Sequence, residues 1–426
     1  MSHTLLSLNY DVLSQVLQLL SPTDAAQLAL ASRAAYVLAF PRIVSDVTLG
    51  GLYHKPGGSA LSQLTNFCNL LLAPAPAWHG VPSARLDALQ GLSVMRDAVR
   101  VRKAGVWTVD PSAAALLSSV IARASNLQRL TIWGSDALFA AYPDFCINSS
   151  SSIRTLILGG DVPGLPILAR AFPHVRAVEF IAGSGSCAPD WALFTDNDAG
   201  DAHAVSPWHQ KLDRVETGFP ILPLACPVRQ VALRNPLVSD TYELFCAREF
   251  LRRTRPVVLS ASASAHLTEE EMCAVLDGEV VAPGLRFLEL VGDRCDGVKD
   301  GSEWMTHVAN TLSTLQVPLL GVALSVTPAI PSMPVFSSLK PSYEPAPAPT
   351  VAEEPADLAA LARTVAEHAP SLQFIALDIS GAPGAAKDAQ AWFRAYSAGS
   401  ERKVVKVEET EGRATMRKML TMNRWD

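Results

Sequence analysis

One spacing recurs along this chain and limits what it can fold into: an apolar residue, two variable residues, a second apolar residue, one variable, a third apolar residue. It reads Val44-Val47-Leu49, Leu89-Leu92-Val94, Leu127-Leu130-Ile132, Ile153-Leu156-Leu158, Val175-Val178-Phe180, Val228-Val231-Leu233, Leu285-Leu288-Leu290 and Leu372-Ile375-Leu377. The last two members of each triplet stand two positions apart, so in an extended strand both side chains enter the same core.

Helix starts lie between these strands. Asp110-Pro111 opens a segment carrying Leu116, Leu117, Val120, Ile121 and Ala124, and Asp240 precedes Tyr242, Leu244, Phe245 and Leu251. Thr268 and Glu271 form a capping box before Met272, Val275 and Leu276, closed by Gly278. Further helices are expected from Ser302 through Trp304, Val308 and Leu312, and from Asp357 through Leu361 and Val365. Strands alternating with helices at these distances imply parallel pairing through right-handed crossovers, an α/β fold. From Leu127 to Ile153 is 26 positions and from Ile153 to Val175 is 22, inside the range of about 20 to 29 residues for leucine-rich repeats.

On these triplets and spacings the chain resembles an irregular leucine-rich-repeat array over about residues 42–409. The resemblance implies a curved solenoid with a parallel sheet. Asp161, Asp293, Ser135, Gly183 and Pro236 stand where that family carries asparagine or cysteine, so distorted turns are expected. Residues 327–355, dominated by proline, alanine, serine and threonine, read as a disordered insertion; Pro328, Pro331 and Pro334 give it two P-x-x-P spacings. Gly183 to Ser206 reads as a second, polar loop. Residues 410–426 read as a charged tail or a capping helix through Met416, Met419 and Leu420.

Residues 1–41 have a different rhythm. Asn9 is an N-cap, and Val12, Leu13, Val16, Leu17 and Leu20 form one apolar helical stripe. Ser21-Pro22-Thr23-Asp24 restarts the helix, with serine as cap, proline at the first position and an acid at the third. A third helix, Arg33 to Phe40, is expected to stop at Pro41; it is apolar at every position from Ala34 and needs cover on more than one side. With Leu8 ahead of the first helix, the Leu20-Ser21-Pro22-x-Asp24 turn, Leu28, Leu30 and Ser32-Arg33, this stretch resembles an F-box. It departs from that family at Asn9, where proline is usual, and at Ala34-Ala35-Tyr36, which replace a basic residue and tryptophan.

Composition removes several classes of function. Hydrophobic residues make up 49% and charged residues 18%, as in a packed globular chain. With 35 basic against 41 acidic residues, nothing favours nucleic acid or an anionic membrane. No signal peptide and no membrane-spanning run is expected. Cys68, Cys146, Cys187, Cys226, Cys246, Cys273 and Cys295 are scattered without a C-x-x-C pair and read as reduced thiols, which fits cytoplasm or nucleus. Asp196 to Asp201 lacks the glycine and glutamate of a calcium loop; His203 and His209 lack partners at metal spacing; Asp293, Asp296 and Asp300 read as a polar turn. Gly183-Ser184-Gly185-Ser186-Cys187 matches neither a nucleophile elbow nor a phosphate loop. No catalytic residues, metal or cofactor are therefore assigned.

The F-box resemblance implies docking on a Skp-class adaptor and, through it, a cullin ubiquitin ligase, with Leu8, Val12, Leu13, Val16, Leu17 and Pro22 as the adaptor contacts. The solenoid resemblance implies capture of a protein target on the sheet face opposite the buried triplets. Arg129, Thr131, Trp133, Thr155, Glu179, Arg234, Phe287, Glu289 and Asp378 fall on that face by alternation. Two other readings remain open: a ligase-independent repeat scaffold for protein–protein interaction, and an α/β enzyme whose site residues are dispersed.

Overall fold

A computed structural model describes residues 9–51, 59–73, 85–103, 105–146, 152–160, 163–181, 208, 212–218, 224, 226–264, 267–276, 283–293, 301–315, 317–326, 357–380, 390–398 and 401–422. The chain is α/β and divides into two compact units, Met1–Leu212 and Asp213–Asp426. Neither sheet closes into a barrel. No helix among the described residues is long and apolar enough to cross a membrane. The Pro-rich stretch 327–355, the Gly183 to Ser206 loop, Leu8, Asp161, His203, His209, Gly278, Asp296 and Asp300 lie outside the described residues.

The first unit begins with α1 (Tyr10–Leu19), α2 (Pro22–Ala29) and α3 (Arg33–Ile43). Each cap is where side-chain chemistry places it. Asn9 accepts from the Asp11 N–H at 3.3 Å, Ser21 from Asp24 at 3.1 Å and Ser32 from Ala35 at 3.1 Å. The third helix does not stop at Pro41 but runs on to Ile43. Proline removes one amide donor there, yet the Val44 N–H still reaches the Phe40 carbonyl at 3.1 Å. Arg42 adds a tie, donating to the Leu20 carbonyl at 2.8 Å and Ser45 Oγ at 2.9 Å.

Next come β1 (Asp46–Leu49), α4 (Ala60–Leu72), a 3-10 turn (Arg85–Ala88), β2 (Gly91–Val94), β3 (Arg100–Lys103), β4 (Val106–Val109) and α5 (Pro111–Arg123). Then follow β5 (Arg129–Trp133), α6 (Ser135–Ala141), β6 (Thr155–Gly159), α7 (Leu165–Ala171) and β7 (Ala177–Ile181). The strands β1, β2, β5, β6 and β7 pair in that order, all parallel, while β3 and β4 form a separate antiparallel hairpin. The parallel register aligns the triplets: Val47, Leu92, Leu130, Leu156 and Val178 form one row, and Leu49, Val94, Ile132, Leu158 and Phe180 the next. Apart from Val47 on the edge strand, these rows are buried under the helices.

In the second unit β8 (Leu212–Thr217) starts at the boundary. It is followed by β9 (Val228–Leu237), α8 (Thr241–Thr254), β10 (Val258–Ser264), α9 (Glu269–Leu276) and β11 (Phe287–Asp293). Then come α10 (Gly301–Thr314), β12 (Gly321–Val326), α11 (Leu358–His368), β13 (Phe374–Asp378), β14 (Gln390–Ala398), β15 (Glu401–Val407) and α12 (Glu409–Leu420). The strands are ordered as numbered, and β9 to β13 are parallel. Val231, Leu259, Leu288, Val322 and Ile375 make one buried row; Leu233, Ala261, Leu290, Leu324 and Leu377 make another. The capping box at α9 forms as its residues require: Thr268 N–H donates to Glu271 Oε2 at 2.8 Å and Glu271 N–H to Thr268 Oγ1 at 3.2 Å.

The parallel rhythm expected as far as residue 409 ends earlier. β13, β14 and β15 are antiparallel. Ala398 and Glu401 are separated by two residues, a link that can only reverse the chain. Pro236 does not end its strand either: β9 continues to Leu237 through a bulge, where the pairing with β10 shifts between Ala261 and Ser262. A bulge is one of the few places a sheet accepts proline.

Candidate protein-binding surfaces

The first candidate surface is built on α1, α2 and α3. Leu17, Ala25 and Ala39 form a small buried core, with Leu20, Leu28, Ala29, Leu38 and Ile43 packed around it. That core leaves a cavity of about 260 Å³, walled by Leu13, Val16, Leu17, Leu20, Asp24, Leu28, Ala35 and Leu38. Of the expected adaptor contacts, Leu13 and Leu17 are buried, Val16 and Pro22 are half-buried, and Val12 is exposed; Leu8 is outside the described residues. The cavity therefore brings Leu13, Val16 and Leu17 together, and adds Leu20, Leu28 and Leu38. These additional residues carry the helical spacing in the sequence, but only the crossing of α1 over α3 puts them at one opening.

Large apolar side chains remain outside this core. Leu19 is 87% exposed and Leu30 79%, and Tyr36 and Val37 of α3 also face outward. Cover is expected on more than one side of α3, and one face has it: Ala35, Ala39 and Phe40 are buried, whereas Tyr36 and Val37 are not.

The second candidate surface is the sheet face opposite the buried rows. In the first unit it mixes polar and apolar side chains, most of them half-buried. Arg129 on β5 reaches across β2 to Asp46 on β1, donating from Nη2 to Oδ1 at 2.5 Å. Gly91 lies beneath this pair; a Cβ there would stand 2.2 Å from Asp46 Oδ1 and 3.2 Å from Arg129 Nη2. Only glycine leaves room for the crossing. Trp133 uses the same device, its ring lying over Gly159 on the neighbouring strand, 2.4 Å from where a Cβ would be. Thr131 is buried; Trp133, Thr155 and Glu179 are half-buried.

In the second unit the face is divided. Arg234 projects from the β9 bulge with its side chain 56% exposed and its Nε on Glu216 Oε1. Glu216, 7% exposed, also accepts from Arg214 Nη2 at 2.6 Å. Glu289 accepts from Ser260 Oγ on the adjacent strand at 2.5 Å. Asp378 is occupied locally, accepting from the Ser380 N–H at 2.9 Å and its hydroxyl at 2.6 Å. Phe287 is not on an open surface. It is fully buried in a cluster with Val257, Val258, Ala323, Phe374, Ala376, Trp392 and Met419, the last supplied by α12. The alternation that puts Phe287 on this face is respected; a later helix covers it.

Sequence reasoning missed the partners on these faces, namely Asp46, Gly91, Gly159, Arg214, Glu216 and Ser260. Asp46, Gly91, Gly159 and Ser260 become relevant through register between strands, which no single strand's sequence carries. Among the described residues no group of three or more histidine, cysteine, aspartate or glutamate side chains is placed to hold a metal ion. No protein-family model matches this sequence, and no curated protein matches it.

Proposed function

We propose that this chain is the substrate-recognition subunit of a Skp–cullin–F-box type ubiquitin ligase. In this reading α1 to α3 dock on a Skp-class adaptor, and a leucine-rich-repeat-like array presents its sheet face to a protein target. The observation that carries it is the apolar surface left on the three-helix module: the cavity walled by Leu13, Val16, Leu17 and Leu20, with Val12, Leu19 and Leu30 exposed around the same helices. A module this small cannot cover such residues by itself, and burying each fully is worth about 1.5 to 3 kcal/mol before the cost of association. On the sheet, Trp133, Arg129 and Arg234 are residue types that anchor interfaces.

A second reading, a ligase-independent scaffold, draws support from another contact. α3 leads directly into β1, and the Arg85 guanidinium sits 5.8 Å from the centre of the Phe40 ring, so the helices also serve as the end cap of the first sheet.

Co-purification with a Skp-class adaptor separates the two. The intact chain is expected to hold the adaptor at micromolar concentration, and Val12→Asp with Val16→Asp to lose it while keeping its melting curve. Leu13 is left unchanged because it is 5% exposed and a charge there would unfold the module. A folded, unmodified chain that retains no adaptor sinks the ligase reading and leaves the scaffold.

A further inference from the structure

In the second unit one helix already lies on the face expected to receive a target. α12 crosses the sheet from β14 to β9. Glu411 near its start pairs with Arg394 at 2.8 Å, and the Leu420 carbonyl at its end accepts from Arg229 Nη1 at 2.8 Å. Beneath it Val258, Phe287, Ala323, Phe374, Ala376 and Trp392 make an apolar trough, every one of them buried.

Helix and trough are unequal partners. Of the twelve residues of α12, Gly412 and Met419 are buried; Met416 and Leu420, with Met422 just beyond, are half-buried. The helix has no side-chain cap at its start, and the single residue Glu408 joins it to β15. Its ion pair to Arg394 is about half exposed on both sides, a geometry that holds weakly. Under it the Trp392 indole N–H is buried without a hydrogen-bond partner among the described residues. A buried donor left unmet costs free energy, so an occupant that brought an acceptor to this point would gain where α12 does not.

We propose that this trough is a docking site for an amphipathic helix of the target protein, and that α12 is a resident competitor which the target displaces. α12 itself shows what fits. Its contacts at Gly412, Met416, Met419 and Leu420 follow the spacing by which grooves read helices. The incoming helix carries a small residue over Trp392, apolar residues at the later positions, and an acid in its first turn for Arg394. Arg394 and Arg229 belong to the sheet and are engaged by α12, so both pass to whatever replaces it. Capture of a target on this face is the half of the proposed function on which this rests; the adaptor plays no part in it.

The test adds to the full-length chain a peptide with the sequence of residues 409–422, carrying norleucine for methionine so that its fragments differ in mass from those of α12. At about millimolar peptide, the effective concentration typical of a tethered segment, amides of α12 are expected to lose protection from hydrogen exchange, read by mass spectrometry. By fluorescence polarisation a labelled form is expected to bind up to about fivefold more tightly to the Glu411→Arg chain, the range of a surface ion pair. A Glu411→Arg peptide is expected to bind the unmodified chain less well than the parent peptide, and the Arg394→Glu chain better. Both positions are exposed, so these chains are expected to melt with the unmodified one. Unchanged protection of α12, or equal binding of a scrambled peptide, overturns the proposal. So does a concentration-dependent dimer that the peptide dissociates, which would make α12 of a second copy the occupant. Neither position enters the adaptor co-purification, so failure there leaves this result standing.

Discussion

Glu249 on α8 shows how much one carboxylate is asked to do. It accepts from Arg252 Nε at 2.7 Å and Nη2 at 2.6 Å, and from Arg253 Nε at 2.7 Å. The Arg252 hydrogen bonds, then those of Arg253, hold its carboxyl down at about 2, against an ordinary 4.5, in spite of partial burial. The folded state thus binds this proton more weakly than the unfolded chain, so the stabilisation is present above about pH 5 and is lost as pH falls toward about 2. Glu249→Gln is expected to lower the urea midpoint at neutral pH, with the gap closing across that window. Both arginines are partly exposed, so the effect stays near or below about 1 kcal/mol. A gap that persists at acid pH would mean the pair contributes little. The i,i+3 and i,i+4 spacing of these charges can be read in the sequence. The faces of the candidate sites are half readable: alternation assigns Arg129, Trp133 and Phe287 to one side of their strands, but it says nothing of Asp46 as the first one's partner or of Met419 over the last.

At the level of elements, strands with a complete apolar triplet announce themselves. Leu319-Val322-Leu324 obeys the same rule and runs into β12. The triplet at β10 is Pro256, Leu259 and Ala261, its proline just ahead of the strand, and that at β8 is Leu212, Val215 and Thr217; a proline, a small residue or a threonine in place of an aliphatic one hides the pattern. β15 alternates half-buried with exposed residues and carries no apolar triplet, because its pairing with β14, rather than its own composition, makes it a strand. α12 follows the same logic: a polar helix whose Met419 closes the core over Phe287 and Phe374. Gly412 permits it to approach, since a Cβ there would lie 2.2 Å from Trp392 Cγ. Gly412→Val is therefore expected to destabilise this core by about 1 to 3 kcal/mol, the usual cost of overpacking, and to raise binding of an apolar dye. Unchanged denaturation would show that the helix shifts without penalty.

For the whole molecule the two compact units pose the question of cooperativity, and buried thiols report on each. Cys68 and Cys146 are buried in the first unit; Cys226 and Cys246 are buried in the second. Burial pushes the Cys68 thiol up to about 12, and raises those of Cys146 and Cys246, so none of the three supplies much reactive thiolate until its surroundings open. Labelling across a urea series, read residue by residue by mass spectrometry, is expected to give one midpoint for Cys68 and Cys146 and another for Cys226 and Cys246. Cys273, half-buried beside Thr314, should label before either pair. Gly412→Val is the decisive addition, because its clash lies in the second unit's core. If each unit unfolds on its own, the variant lowers the midpoint of Cys226 and Cys246 and leaves that of Cys68 and Cys146 in place. If all four midpoints fall together, the chain unfolds as one cooperative body, and strain placed under α12 is felt as far away as the helices at the other end of the sequence.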